Sequence, residues 1–504
     1  MLSVLFTIST FSLVSGSLAT GVPALSTRHA PSPQHDFQLD IQSVCDQIAS
    51  AMSNASQVFF PSATGYTSDN EHALLSSSET SACSVEPGST QDLGLILQIV
   101  GKSRTPFGVK SGGHIGNRGF SSTRGVQISL ARFNTFNVIT QAQTVELGPG
   151  LTWGDIYERL DPYGVTVIGG RYPGVGVGGL TLGGGYSFKS NEHGLAIDNV
   201  VAFELVLPNG TVTTVTADDH DLWFALRGGG NNFGIVTKLT VKSHPQGQVW
   251  GGIIIFGSDQ LGAVKHAIAQ FSSKVTDPNA ALEAGFFYSS GEVIPAVTLF
   301  YDAPQPPSGI FDAFLRIPNQ QQDVHTRSYV DIVKNQATPS TSPVGRTGSG
   351  HYCGFPTTNY SLNFLDAMAD QVLQWGSQLT PLNEGVAIAA VAEPFGRGVF
   401  THGTPSAYPP DRSRVSFPSI LSFSWSNSSL DGIMARAIRE SADSLRAAAL
   451  KDGQDVEHAA VYPNYGLFDT PLGDMYGKNV PRLRALRRAV DPGDVMGLTG
   501  GFRF

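Results

Sequence analysis

Residues 172–186 read YPGVGVGGLTLGGGY, with glycine at 174, 176, 178 and 179 and again at 183–185. A glycine leaves its backbone N–H open to a ligand with no side chain in the way, and successive amides form a nest for an anion. Similar composition recurs on both sides. Ser111-Gly112-Gly113-His114 follows the strand-like FGVK (107–110), and Arg227-Gly228-Gly229-Gly230-Asn231-Asn232-Phe233-Gly234-Ile235-Val236 comes after. Three such loops in one region point to a long diphosphate cofactor lying over much backbone. A lysine-bearing phosphate loop is missing, and one short Gly-x-Gly-x-x-Gly would be a weak signal alone. Glycines serving only tight turns are the competing reading, and the clustering tells against it.

Around the loops, from about residue 90 to 245, short β-rich runs alternate with glycine clusters. LGLILQIV (93–100) has helical periodicity, whereas FGVKS (107–111), GVQISL (125–130), FNVITQ (136–141), TVELGPG (144–150), VTVIGG (165–170) and GIVTKLTVKSH (234–244) read as strands. VVAFELVLPNGTVTTV (200–215) reads as a hairpin turning at Asn209-Gly210, both of which accept φ > 0. A second region mixes strands, GGIIIFG (251–257), AVTLFY (296–301), GVAIAAVAE (385–393) and SILSFSWS (419–426), with amphipathic helices at 261–275 and 430–450. The tail holds YPNYG (462–466) and a basic helix stopped by Pro492. The fold class is α+β. The expected segments are 1–19, a signal peptide; 20–39, a flexible leader; 40–247 and 248–455, two folded regions; and 456–504, a closing segment.

The 504 residues are long enough for a sizeable core, and 41% hydrophobic against 14% charged residues excludes a disordered or coiled-coil chain. A net charge of −9 without any basic block argues against a nucleic-acid partner. Leu2–Val14 is apolar and runs into Ser17-Leu18-Ala19, as a cleaved signal peptide would, although no Lys or Arg precedes it; a buried N-terminal helix is the alternative. No later run of about 18 apolar residues supports a membrane span. The reading is a secreted monomer. Of three cysteines, Cys45 and Cys83 are read as a disulfide and Cys353 as left over, against three buried thiols. Asn54, Asn209, Asn359 and Asn427 stand in glycosylation tripeptides. No metal-ligand pattern is read.

PFGVKSGGH (106–114), YPGVGVGGLTLGGGY (172–186), HGLAIDNVVAFELVLPNG (193–210), DLWFALRGGGNNFGIVTKL (221–239), EPFGRG (393–398), YPNY (462–465) and YGKNVPRLRALRRAVDP (476–492) together resemble the berberine bridge enzyme-like flavoproteins of the vanillyl-alcohol oxidase/p-cresol methylhydroxylase superfamily. The resemblance spans the chain from the first glycine loop to the tail. It implies a two-lobed fold: a PCMH-type FAD-binding domain at 40–247, completed by the returning 456–504, and an inserted α/β substrate domain at 248–455 whose antiparallel sheet is covered by helices.

The resemblance further implies FAD bound through Ser111, Gly112, Gly113, Gly174, Val175, Gly176, Gly178, Gly179, Gly234, Ile235, Val236 and Asn464, with His114 bonded to the flavin 8α carbon. Relatives often carry a second tether, a cysteine before the loop proline. Tyr172 stands there, so one covalent bond is expected. Tyr465 matches the family's base, and Tyr186 an active-site tyrosine that can pair with it. SFPSILSFSW (416–425) lacks the glutamate some relatives use, which favours Tyr465, and Glu393, the carboxylate of the EPFG motif in the facing domain, is the reserve base. A compact Val175 matches residues that admit dioxygen to the flavin. These readings make the chain an FAD-dependent oxidase of an alcohol, sugar or secondary metabolite. An oxidative cyclase and a flavin-free secreted binding protein are the alternatives.

Overall fold

The computed structural model describes residues 33–335, 348–383, 385–414 and 416–504. Residues up to Asp40 and Ile41–Phe504 separate as two units. The signal-peptide reading and most of the leader lie outside the described residues. Where the described residues begin, Pro33–Ala51 is helical, so the last residues read as leader lie in a helix.

Among the described residues, three sheets carry the chain. The first holds β1 (Gln57–Phe59), β2 (Cys83–Glu86), β3 (Phe107–Lys110) and β4 (Val126–Ser129), in the order β1-β2-β4-β3. β2 and β3 both run parallel to β4, which requires a crossover, and the helix Thr90–Ser103 supplies it. Its Leu93, Ile96, Leu97 and Val100 recur at helical spacing and are buried against Val85, Phe107, Val126 and Ile128. The Ser89 side chain caps its first turn. Cys45 is bonded to Cys83 at the start of β2, and Cys353 is free and buried.

The second sheet holds β5 (Phe136–Ile139), β6 (Thr144–Leu147), β7 (Val165–Val167), β8 (Val200–Val206), β9 (Val212–Val215) and β10 (Ile235–Pro245); β10 is central and pairs with β6, β7 and β8. β8 and β9 form the expected hairpin, but only Gly210 has positive φ. Pro208 and Asn209 make the turn that Gly210 N–H closes onto Leu207 O at 2.8 Å. A proline with φ near −65° cannot enter a two-residue turn that needs positive φ twice, so the loop lengthens by one residue.

The third sheet is antiparallel throughout: β11 (Val249–Ile255), β12 (Ala280–Ser289), β13 (Glu292–Tyr301), β14 (Gln321–Arg327), β15 (Ser349–Thr357), β16 (Ala387–Ala392) and β17 (Phe417–Trp425), ordered β14-β11-β13-β12-β16-β17-β15. Helices Leu261–Lys274, Leu362–Leu379 and Asp431–Lys451 pack their apolar stripes on it. The register turns Glu283, Val391, Ile420, Ser422 and Tyr352 toward one face, which lines a cavity. The tail returns to the glycine-rich lobe: Thr499 bridges Phe107, and Asn232 donates to Phe502 O at 2.9 Å. No helix among the described residues is long and apolar enough to cross a membrane. All four tripeptide asparagines are exposed.

Candidate active site

The cavity has a volume of about 360 Å³ and lies between the three glycine loops, the tail and the face of the third sheet. Backbone contact between loops explains much of the glycine content. A Cβ on Gly112 would lie 2.5 Å from Gly176 N, so two side-chain-free loops can cross where others could not. Gly178 N–H donates to Ser111 Oγ at 3.2 Å and Ser111 Oγ donates to Pro149 O, fixing the crossing. Gly113 has φ +65°, a left-handed conformation that favours glycine, and it turns His114 into the cavity wall. Gly179 serves differently: a Cβ there would meet no protein atom within 4 Å, so its missing side chain leaves cavity space.

Ser111, Gly112, Gly113, His114, Val175, Gly176, Gly178, Gly179, Gly234, Ile235, Val236, Asn464, Tyr186 and Tyr465 all line this cavity. Gly174 does not: it is exposed on the outer turn of its loop, where a Cβ would touch nothing. Close packing by protein atoms pushes the His114 pKa down to about 4, so its imidazole is neutral and nucleophilic near pH 7.

The deepest part of the site is a cluster of charges and tyrosines. Arg171 and Tyr172 follow β7 through Gly169 and Gly170, where the Trp153 indole lies against the backbone; a Cβ on Gly170 would sit 2.6 Å from it. The buried Arg171 guanidinium meets Glu393 at 2.5 Å and Glu283 at 3.4 Å, and donates to Tyr465 Oη at 3.1 Å. Burial works against that cation, but Glu393, then Glu283, outweigh it and hold it protonated. Tyr465 donates to Glu393 Oε1 at 2.9 Å, and Tyr172 donates to Glu283 Oε1. Glu393, fully buried at the end of β16, lies behind Tyr465 and does not reach the cavity wall. Burial pushes its pKa up to about 7 against the pull of Arg171, with Glu283 adding to the rise.

Two expectations change here. Tyr465 has the nearby cation it needs, yet burial and then the Glu393 charge raise its phenol well above the ordinary range; it stays protonated at neutral pH and can take a proton only by giving up its own. Tyr186 does not pair with Tyr465. Its hydroxyl meets that of Tyr408 at 3.0 Å, because the Tyr462 ring stands between, 4.9 Å from each of the two rings. Asn464 donates to Leu180 O and Tyr462 Oη, tying the tail to the glycine helix Val177–Leu182. The turn carrying Tyr465 rests on the sheet at Gly354, where a Cβ would lie 2.8 Å from Tyr465 Cβ.

Arg171 and Glu283 were missed from sequence. The available signal was a lone carboxylate in an otherwise apolar strand, AALEAGFFY (280–288), and a lone arginine after GG at 169–170.

The FAD binding domain family matches residues 81–216. An uncharacterized FAD-linked oxidoreductase of Arthroderma benhamiae is 31% identical over 473 residues, covering 89% of this chain and 92% of that protein. The FAD-dependent monooxygenase tpcD of Cochliobolus heterostrophus is 30% identical over 438 residues, 82% of each chain. Among solved structures, the BBE-like 1 protein of Physcomitrella patens shares the fold at a TM-score of 0.71 and 21% identity, over 90% of this chain and 97% of that one.

Proposed function

The chain belongs to the berberine bridge enzyme-like FAD-linked oxidoreductases, and from that membership we propose that it oxidises a small alcohol, sugar or secondary metabolite, with Tyr465 and Glu393 acting together as the base and dioxygen as the final electron acceptor. The observation that carries the reading is the Tyr465–Glu393 contact of 2.9 Å at the cavity wall.

The residues present fit FAD. Gly179 keeps cavity space free, the crossed loops at Gly112 and Gly176 present bare backbone, and His114 is a neutral imidazole in the same wall. These loops would hold the diphosphate, and His114 would carry the single covalent bond, Tyr172 standing where a cysteine tether would be. When bound, FAD supplies an acceptor for the hydride leaving the substrate C–H bond. The protein's own part is the proton. As the substrate hydroxyl or amine loses it, Tyr465 Oη accepts it and passes its own to Glu393 Oε1. A carboxylate with a pKa near 7 is matched to that task at neutral pH, whereas the phenol alone is not. Arg171 donates to Tyr465 Oη and to Glu393 Oε2, the other oxygen of that carboxylate, and keeps the pair aligned. Val175 lines the cavity and is compact enough to leave dioxygen a path.

Secretion is part of the proposal, supported by the Cys45–Cys83 disulfide and four exposed glycosylation tripeptides. A second reading, insertion of one atom of dioxygen into the product while the other leaves as water with two electrons taken from the substrate, is favoured by the name of the Cochliobolus relative, a monooxygenase. The test mixes the purified protein with a panel of benzylic and allylic alcohols, amines and sugars without air, then admits air labelled with heavy oxygen. Bleaching of the flavin band followed by peroxide release supports the oxidase, and label in the product supports the second reading. A panel member consumed without bleaching would contradict both.

A further inference from the structure

Glu283 is a buried carboxylate with capacity to spare. It stands on β12, on the sheet face that lines the cavity, and among the described lining residues it is the one carboxylate. Tyr172 fixes its Oε1 by donating to it. Its Oε2 lies 3.4 Å from Arg171, accepts no hydrogen bond and is shut off from solvent. An ionised carboxylate has about four acceptor sites, and a buried polar atom left without a donor is costly. The one guanidinium beside it is shared with Glu393. With Glu393 ionised, two carboxylates against one cation leave a negative excess at this end of the cavity. Next to Glu283 on the same face stand Val391, Ile420 and Tyr352, an apolar floor for a flat or hydrophobic body.

We infer that Glu283, held by Tyr172 and Arg171, determines specificity: it takes a hydroxyl or ammonium group of a substrate whose apolar body lies on the sheet, and it rejects a carboxylate in that place. The inference deepens the proposed oxidation and rests on it, since the cavity must hold flavin and substrate together. It also gives Tyr172 a purpose. The phenol in the place of a second tether orients the carboxylate, so that Oε1 is committed to the protein while Oε2 keeps an unmet demand for a donor. Discrimination of this kind is strong because a site built to satisfy a donor is left unpaired, or repelled, by the wrong group.

Three probes of one shape test it: benzylamine, benzyl alcohol and benzoate, titrated into the FAD-loaded protein and followed by perturbation of the flavin absorbance, with no turnover required. The wild type is expected to bind benzylamine and benzyl alcohol more tightly than benzoate. Glu283→Gln should weaken benzylamine by roughly 10- to 100-fold, the loss typical of a hydrogen bond to a charged group, and tighten benzoate. Benzoate bound to the wild type as tightly as benzylamine overturns the inference, and that comparison needs no variant. So does a Glu283→Gln protein, folded by circular dichroism, with an unchanged benzylamine-to-benzoate ratio, or a flavin-bearing wild type that takes none of the probes. Protein purified without flavin and unable to take it up overturns the oxidation itself, and this is seen before any probe is added.

Discussion

Replacing Tyr465 by Phe removes one oxygen and little else. That oxygen donates to Glu393 Oε1 at 2.9 Å and accepts from Arg171 at 3.1 Å, while Arg171 keeps its own 2.5 Å contact with Glu393. The folded state therefore loses two hydrogen bonds, one to the carboxylate and one from the guanidinium, whose own pairing survives, about 2–3 kcal/mol in all. Catalysis loses more. Without the phenol, Glu393 lies behind the wall and cannot reach the substrate proton, so flavin reduction should slow by about 10²–10⁴-fold, or about 2.7–5.4 kcal/mol of barrier. Glu393→Gln should cost a similar factor, because the phenol then has nowhere to send its proton. The two act as one device, so the double variant should be scarcely slower than either single one. Stopped-flow reduction without air measures all three. The pH profile gives a second reading: Glu393 must be ionised to accept, so the wild-type rate should climb with pH, pass its midpoint near 7 and level off in the alkaline range, and the climb should vanish in Glu393→Gln. Losses that add in the double variant, or a wild-type rate flat across neutral pH, would refute the relay.

Gly179→Leu should fold normally and purify with little or no flavin, since its side chain meets no protein atom at the Cβ but enters the cavity; circular dichroism and absorbance check the two halves. Val175→Leu should slow reoxidation of the reduced protein by dioxygen while leaving reduction by substrate unchanged, as read by stopped-flow absorbance. Cys45→Ser with Cys83→Ser opens a loop of sequence separation 38, and loop-closure entropy puts the loss at about 4 kcal/mol in chemical denaturation.

The glycine loops were legible because their chemistry is local: backbone access is written in consecutive residues, and all but Gly174 of the positions read from them face the cavity. Strands of the third sheet were legible where β-branched and aromatic residues recur, as in Val249–Ile255 and Phe417–Trp425. Gln321–Arg327 was not, because a polar edge strand lacks the pattern. The Tyr465–Glu393 contact was half legible. Tyr465 and Glu393 were each named, but their partnership depends on the tail returning across the sheet, a contact between residues 72 apart. Arg171 and Glu283 were hidden for the same reason, since a single charge in a strand gains its meaning from a partner far away in sequence. The pairing of Tyr186 with Tyr465 was misread because sequence order cannot show that the Tyr462 ring intervenes.

The account rests on a flavin held in this cavity by His114, and peptide mapping tests that most directly. The purified protein is denatured in acid, digested and analysed by mass spectrometry. The flavin mass should appear on the peptide containing Ser111-Gly112-Gly113-His114 and on no cysteine peptide, and His114→Ala should release its flavin on denaturation. Flavin freed entirely from the wild type by acid, or found on another residue, would contradict it.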